Sequence, residues 1–153
     1  MNEMHGAAAF FRSRLVADSA LAEQVGKRVY ADFAPEVDPD DTSTPKKAPK
    51  YPLITYHMLT ATDVNAGPYR VMIKPLFLVR VIAEGGYGAA QAAANRLDEL
   101  LMMPDPVNVT VGSDTYTILG CIRERPVLGS DFDTNGKRYS YIGGHYRLYI
   151  QAA

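Results

Sequence analysis

One stretch, GYGAAQAAANRLDELLMMP from Gly86 to Pro104, is the clearest helix signal in the chain. Its apolar residues form a single stripe, and Pro104 ends the helix because proline has no main-chain N–H to donate. The stripe consists of Ala89, Ala93, Leu97, Leu100 and Leu101. The small alanines permit close packing on a sheet, and the segments on both sides of this helix read as strands. The chain is therefore expected to combine helices and strands around one core.

Two further helices are predicted before the first strand. The apolar residues of 7–16 fall close to helical spacing, which indicates an amphipathic helix. Asp18 has the side chain of an N-cap and Gly26 that of a C-terminal stop, so a shorter helix is predicted between them. The segment KRVYADF then predicts a short strand.

The remaining segments read as strands separated by turns. LITYHMLT and VMIKPLFLVRVIAE are joined by a turn at 65–68, and Pro75 implies that the second strand is at an edge there or begins after it. VNVTVGSDTYTILGCIRERPV predicts a hairpin about 112–114, and Asn135-Gly136 predicts the turn before the last strand. The order predicts an α+β fold: a mixed, mainly antiparallel β-sheet with two or three helices packed on one face.

Composition limits the possible partners and the number of domains. The 153 residues are predicted to form a single domain, residues 1–153. A formal net charge of -1 provides no general attraction to nucleic acid or anionic lipid. The single cysteine, Cys121, lies in an apolar strand-like stretch, which favours a buried thiol in a reducing compartment. The N-terminus is unlike a signal peptide, and no stretch approaches the roughly 20 apolar residues that span a bilayer, so no membrane partner is expected.

A long proline-rich loop, residues 34–52, interrupts the strands. It contains five prolines, an acidic first half and a lysine-bearing second half. Because it is longer than most connections in compact domains, it is either a functional loop or a disordered one, and the residues leave both interpretations open. Its candidate docking residues are Asp38, Asp40, Asp41, Lys46, Lys47 and Lys50.

The residues that usually carry chemistry do not form a recognisable site. His5, His57 and His145 are far apart and lack the spacing of a helical metal site. The glycines of EGGYG, 84–88, lack the spacing of a phosphate-binding loop and predict a tight strand-to-helix turn. We therefore expect no enzyme, no catalytic residue, no cofactor and no metal. A small enzyme or ligand-binding domain with a pocket between sheet and helices is the alternative class.

The last strand, YSYIGGHYRLYIQ, is the strongest candidate for a contact surface. Tyr146, Leu148 and Ile150 share one face, and the other carries tyrosine, arginine and histidine, which combine apolar bodies with polar tips. Gly143-Gly144 predicts a bulge or a bend. The candidate subunit-interface residues are Tyr139, Tyr141, His145, Arg147 and Tyr149. The alternative is a half-exposed strand whose tyrosines lie under a loop or a helix.

The order of these segments resembles a known family. FFRSRLVADSALAEQVGKRVYADFAP, then YPLITYHMLT, the unit FLVRVIAEGGYGAAQAAANRLDELL and a closing strand of HYRLYIQ type are similar to the tail-completion and tail-terminator (head–tail joining) proteins of long-tailed bacteriophages. The resemblance covers nearly the whole chain and rests on order and spacing. It implies a ring, usually of six subunits, that caps the tail tube, ends tail growth and joins the tail to the head.

The same resemblance implies the partners and the location. The partners are other copies of the chain, the tail tube protein and the head connector or neck protein, and DNA passes through the ring without sequence-specific binding. The protein is then part of the virion at the tail–head junction and assembles in the cytoplasm of the host bacterium. A head-side neck or connector subunit, and the cap of a related contractile injection machine, are the alternatives within the same biology.

Overall fold

The computed structural model describes residues 2–152, so Met1 and Ala153, the ends of the predicted domain, lie outside the described residues. The helices are α1 (Asn2–Ala17), α2 (Ser19–Val25) and α3 (Gly88–Leu101). The strands are β1 (Val29–Ala31), β2 (Leu53–Ala66), β3 (Tyr69–Glu84), β4 (Val107–Val111), β5 (Asp114–Phe132) and β6 (Arg138–Ala152). No helix in this part of the chain is long and apolar enough to cross a membrane.

The strands form one six-stranded sheet in the order β1-β2-β3-β6-β5-β4. β1 runs parallel to β2, whereas the other four neighbouring pairs are antiparallel. The predicted turns at 65–68, 112–114 and Asn135-Gly136 join consecutive strands. The predicted α+β fold with a mixed, mainly antiparallel sheet is therefore confirmed.

The core lies between the helices and one face of the sheet. On β6 the buried residues are Tyr146, Leu148 and Ile150, as the alternation predicted. Phe11 of α1 packs on the sheet with its ring centroid 4.6 Å from that of Phe77. Burial of these side chains, at about 1.5–3 kcal/mol each, is the main term that holds the helices to the sheet.

Local signals at α2 were correct, and the stripe on α3 needs a correction. Asp18 accepts a hydrogen bond from the Leu21 N–H at 2.8 Å, and Gly26 ends α2 with a positive φ of 59°. On α3 the core residues are Ala90, Ala93, Ala94, Leu97 and Leu101. Ala89 is exposed and Leu100 only half-buried, because the helix is rotated so that Ala90, Ala93 and Ala94 approach the sheet.

Two expectations about strand irregularity were wrong. Gly143-Gly144 neither bulges nor bends β6, since the β3–β6 register passes through both glycines without a shift. Pro75 lies inside the sheet, where it pairs with Ala61 of β2. The β3–β6 ladder has no residue pairs at Lys74 and Pro75, so the missing N–H of proline falls where that ladder is interrupted.

The β2–β3 register shifts between Met58 and Thr60 and between Val64 and Asn65, and further irregularities lie on β5. Its register with β6 shifts between Ile118 and Gly120 and again between Arg123 and Arg125, which makes Leu119 and Glu124 extra residues on this strand. β5 also continues to Phe132, beyond the predicted end of the hairpin segment at Val127. Each outer strand covers only part of its neighbour: β4 pairs with Asp114–Ile118 of β5 and β1 with Ile54–Tyr56 of β2.

Candidate subunit interface

The face of the sheet opposite the helices, here called the second face, carries the five candidate interface residues. The register places Tyr141 beside Ile82, His145 beside Leu78 and Arg147 beside Leu76, all on this face. Each of the five side chains is half-buried. In the described chain they are held by partners within the same subunit, so the second face is a preorganised layer of paired side chains.

Arg147 is held at three points. Its guanidinium donates to both carboxylate oxygens of Glu124, Nε to Oε1 at 2.7 Å and Nη2 to Oε2 at 3.2 Å. Its Nη1 also donates to the main-chain oxygen of Lys74 at 3.1 Å, where the β3–β6 ladder is interrupted. The arginine hydrogen bond and charge hold the pKa of the Glu124 carboxyl below its usual value. The carboxylate that fixes this side chain therefore comes from Glu124, the extra residue on β5. The carbonyl oxygen comes from Lys74, where the β3–β6 ladder is interrupted.

His145 acts as a hydrogen-bond acceptor on the second face. Nε of Arg125 donates to its Nδ1 at 2.7 Å, which requires the imidazole to be unprotonated at that nitrogen. Burial lowers the pKa of His145, the positive charge of Arg125 lowers it further, and Glu124 acts weakly in the opposite direction. The imidazole is therefore neutral over more of the physiological pH range than a free histidine.

Two tyrosines of β6, Tyr141 and Tyr149, lie under cations from β3. Nζ of Lys74 is 5.7 Å from the centre of the Tyr149 ring, and the Arg80 guanidinium carbon is 5.1 Å from that of Tyr141. Arg80 also has a buried Nε without a hydrogen-bond partner among residues 2–152. The cations limit the rotation of both rings, and cation–π contacts of this kind contribute about 0.5–1 kcal/mol at exposed sites.

Tyr139 connects the second face to the proline-rich loop. Its ring centroid is 5.0 Å from that of Tyr51, at the end of the loop. Lys137 lies over the Tyr139 ring and pairs with Glu84 at 2.7 Å. At this end Tyr139 lies against a loop, whereas the other four candidate residues lie farther along the sheet.

The loop forms its own network around Asp41. The Asp41 carboxylate accepts the Ser43 N–H at 2.9 Å, the Ser43 hydroxyl at 2.7 Å and the Lys47 N–H at 2.7 Å. These bonds lower the pKa of Asp41 to about 2. A main-chain hydrogen bond from the Asp38 N–H to the Lys47 oxygen, 2.7 Å long, joins the two ends of residues 38–47. The loop thus has local order without a neighbour.

The other candidate docking residues have separate positions. Lys46 donates to the Pro39 oxygen at 3.2 Å, and Asp38 accepts the Asp40 N–H at 3.0 Å. Lys50 is exposed beside Tyr51. The structure therefore brings Asp38, Asp41 and Lys47 into one network and leaves Lys50 near the second face.

The polar groups of the described residues do not converge on a catalytic arrangement. Residues 2–152 contain no group of three metal-ligating side chains. Cys121 is buried, and burial raises the pKa of its thiol to about 12, so it is a structural cysteine. The glycines before α3 form the predicted tight turn, with Gly85 at a positive φ of 84°.

Sequence reasoning missed the exposed apolar residues at the end of β5. Leu128 and Phe132 are 64% and 68% exposed. Their four-residue spacing places both on one face of a strand, which was a readable signal. It was hidden by Gly129-Ser130, two residues typical of turns, and these residues continue the strand because Gly129 leaves room for the Tyr141 ring.

Comparisons with known proteins identify the fold. No family model and no curated protein matches the chain. A chain from the solved structure "Virion of native gene transfer agent (GTA) particle" superposes with a TM-score of 0.66 at 18% identity, covering 95% of this chain and 97% of that one. A second solved structure covers 100% of this chain at 16% identity, and its TM-score of 0.48 is too low to support any argument. The protein thus shares the fold of a subunit of a phage-like virion.

Proposed function

We propose that the protein is a structural virion protein, a phage tail terminator that forms a ring, most simply a hexamer. The ring caps the tail tube, ends tail growth and joins the tail to the head. The observation that carries this proposal is the fold shared with a chain of a gene transfer agent particle over nearly the full length of both chains. The order of segments, which resembles the tail-terminator family, supports the finer assignment.

The second face suits a subunit that assembles by contact with copies of itself. Its arginine and tyrosines are already fixed by Glu124, Lys74 and Arg80, so association would cost less side-chain entropy than it would for free side chains. Tyrosine and arginine are also the residues most enriched at the energetic centres of interfaces. In this proposal the second face lies against the adjacent subunit of the ring.

The partners and location follow from the same proposal. The ring contacts the tail tube protein on one side and the head connector or neck protein on the other, at the tail–head junction. A net charge of -1 per subunit is compatible with DNA that passes through without being held. As a structural subunit the protein is not an enzyme. The proline-rich loop docks on the tube, in line with its exposed lysines and its own internal order.

Loss of the gene distinguishes the proposed role from the head-side alternative. If the protein ends tail growth, particles made without it carry overlong tubes, and the supplied protein restores normal length. Tails of normal length beside unattached heads would instead indicate a neck or connector subunit. Electron microscopy of the particles measures both quantities, and normal, joined particles would contradict either role.

A further inference from the structure

The two long edges of the sheet are only partly covered, and the uncovered parts lie on opposite sides and at opposite ends. β1 covers the first residues of β2 and leaves 57–66 without a strand neighbour on that side. β4, together with the bridge from Met103 to Cys121, covers the first part of β5 and leaves 124–132 open. In the described chain these two segments, the β2 free edge and the β5 free edge, have similar lengths of about 30 Å.

The two free edges match in direction as well as length. Strand direction alternates from β2 through β3 and β6 to β5, so β2 and β5 run in opposite directions. If the β5 free edge of one copy lay beside the β2 free edge of the next, the joint would be antiparallel and would continue the alternation. Because the two free edges lie at opposite ends of the sheet, β4 of one copy would not overlap β1 of the next. Each copy would be offset along the strand direction from its neighbour, and a tilt of the strands would accommodate this offset, as in closed barrels.

The side chains at the two edges also match. Phe132, 68% exposed, lies on the helix face of the sheet, because it pairs with Arg138 on the same side as buried Tyr146. Beside the start of the β2 free edge, on the same helix face, is an apolar cleft of about 330 Å³, here called the α1 cleft. Met4, Ala8, Tyr56, Met58 and Phe77 contribute to its lining. A cavity of about 150 Å³ already accommodates benzene, so the cleft has room for a phenyl ring.

An antiparallel joint in which the two free edges overlap over their full length places Phe132 beside the start of the β2 free edge, where the α1 cleft opens. Arg138, the ladder partner of Phe132, would then lie near Asp32, which lines the cleft with its side chain 61% exposed and already contacts His57, with Oδ1 2.8 Å from Nδ1. Charged side chains can prevent an exposed edge from pairing with another strand. Those at the start of the β5 free edge do not, since Glu124 is held by Arg147 and Arg125 by His145.

We propose that the β5 free edge of one copy pairs with the β2 free edge of the next, with Phe132 inserted into the neighbour's α1 cleft. This inference rests on the proposed ring and names the joint that builds it. The joint is heterologous, because two different surfaces of the same chain meet, and such joints generate rings when the rotation between copies closes. It is separate from the contact proposed for the second face.

Two variants that each disable one side of the joint test it. Phe132→Asp places a charge where the ring must enter the cleft, and Ala8→Phe fills the cleft from α1. Each variant is expected to run at the 16.8 kDa subunit mass, whereas the wild type runs at a multiple of it, six for a hexamer. A 1:1 mixture of the two variants should form a dimer and nothing larger, since only one intact pair of surfaces exists between them.

Control measurements establish whether a change in mass results from loss of the joint. Val37→Asp changes another exposed apolar residue, 47% exposed, which lies in the proline-rich loop and not on either free edge, and should leave the wild-type mass unchanged. Circular dichroism and thermal unfolding check that the variants fold, and Leu59→Asp on the β2 free edge replaces Ala8→Phe if that variant does not. The amides of 124–132, apart from Pro126, which has no N–H, should also be protected from hydrogen exchange in the oligomer and exposed in the Phe132→Asp monomer.

The possible outcomes separate the joint from the function. Rings that persist in both variants would overturn the joint and leave the proposed role intact. Monomeric variants whose mixture stays monomeric would also overturn it, because an intact pair of surfaces would then fail to bind. A wild type that stays monomeric at all concentrations overturns the joint together with the preformed ring, while tail length in gene-deleted particles tests the role independently.

Discussion

At the residue scale, the side chains of the second face are fixed by partners that are distant in sequence. Arg147 is held by Glu124 from β5 and by the Lys74 oxygen from β3, and His145 by Arg125. Partly exposed pairs of this kind add little stability individually, about 0–1 kcal/mol. Their effect is geometric: they hold arginine and imidazole in single orientations, which is the condition for a surface that binds without reordering.

His145 should make stability depend on pH. Its pKa is lowered in the folded protein by burial and by Arg125, so the unfolded chain binds the extra proton first. The folded state is therefore favoured fully above the unfolded value of about 6.5, and this contribution is lost as pH falls from there through the folded pKa. Urea unfolding at pH 7.5 and at pH 5 should show the loss.

His145→Asn is the matched control for that pH dependence. The amide oxygen of asparagine takes the place of Nδ1 and accepts from Arg125, but it does not titrate in this range. We expect the variant to lose less unfolding free energy than the wild type between the two pH values. Equal losses in the two proteins would show that His145 does not contribute to the dependence.

At the element scale, the sequence predicted what depends on local pattern. The N-cap at Asp18, the alternation of β6 and the tight turns were correct because each is decided within a few residues. The rotation of α3 and the position of Pro75 were not, because both depend on what the neighbouring elements offer. The partners of Arg147 could not be read from the chain either, since they require the register of three strands and a bulge at Glu124.

The same limit applies to β5 and to the free edges. Gly129-Ser130 has the composition of a turn, and only the close approach of the Tyr141 ring explains why a strand continues there. An edge is uncovered because β1 and β4 are short, and this is visible only once the strand order is known. The sequence thus predicts that the five candidate residues share the second face, but it does not predict which side chains bond to them.

Gly143 should be intolerant of any side chain. A Cβ at this position would overlap the carbonyl oxygen of Val79 on the adjacent strand, and backbone cannot move aside as a flexible side chain can. We expect Gly143→Ala to destabilise the fold by about 1–3 kcal/mol, the range for overpacking, as measured by urea unfolding. Gly120→Ala is the control, because its nearest neighbour would be the Met103 oxygen at 4.0 Å and the change should be nearly neutral.

The proline-rich loop should be dispensable for folding and required for docking. Its main hydrogen-bond network is internal, and a main-chain hydrogen bond joins Asp38 to Lys47. Replacement of residues 38–47 by a Gly-Gly bridge should therefore leave the midpoint of thermal unfolding nearly unchanged. Cosedimentation with purified tail tubes should fall. A Gly/Ser replacement of equal length, which removes the Asp41 network and the lysines, should lose docking in the same way. A deletion variant that docks normally would remove the loop's proposed role.

At the scale of the whole molecule, two kinds of surface have different parts in the proposed assembly. The free edges of β2 and β5 are backbone surfaces whose geometry is set by strand order, and they decide which copy follows which around the ring. The second face is a side-chain surface whose geometry is set by intrasubunit pairs. Because the edges lie at the ends of the sheet and the second face spans its middle, Phe132→Asp alters only a free edge and Tyr149→Ala alters only the second face.

The second face can be tested by reversing its central pair. Arg147→Glu with Tyr149→Ala removes two candidate contacts, and we expect a folded monomer that does not assemble. Arg147→Glu alone places a carboxylate against Glu124 and leaves the Lys74 oxygen without its donor, which weakens the fold for a reason unrelated to assembly. Adding Glu124→Arg restores an ion pair within the subunit while reversing the charge that a neighbour meets. The triple variant should therefore unfold near the wild-type urea concentration and still run at the subunit mass. If it forms rings of wild-type mass, the second face is not a subunit contact, and its paired layer serves only to cover the sheet.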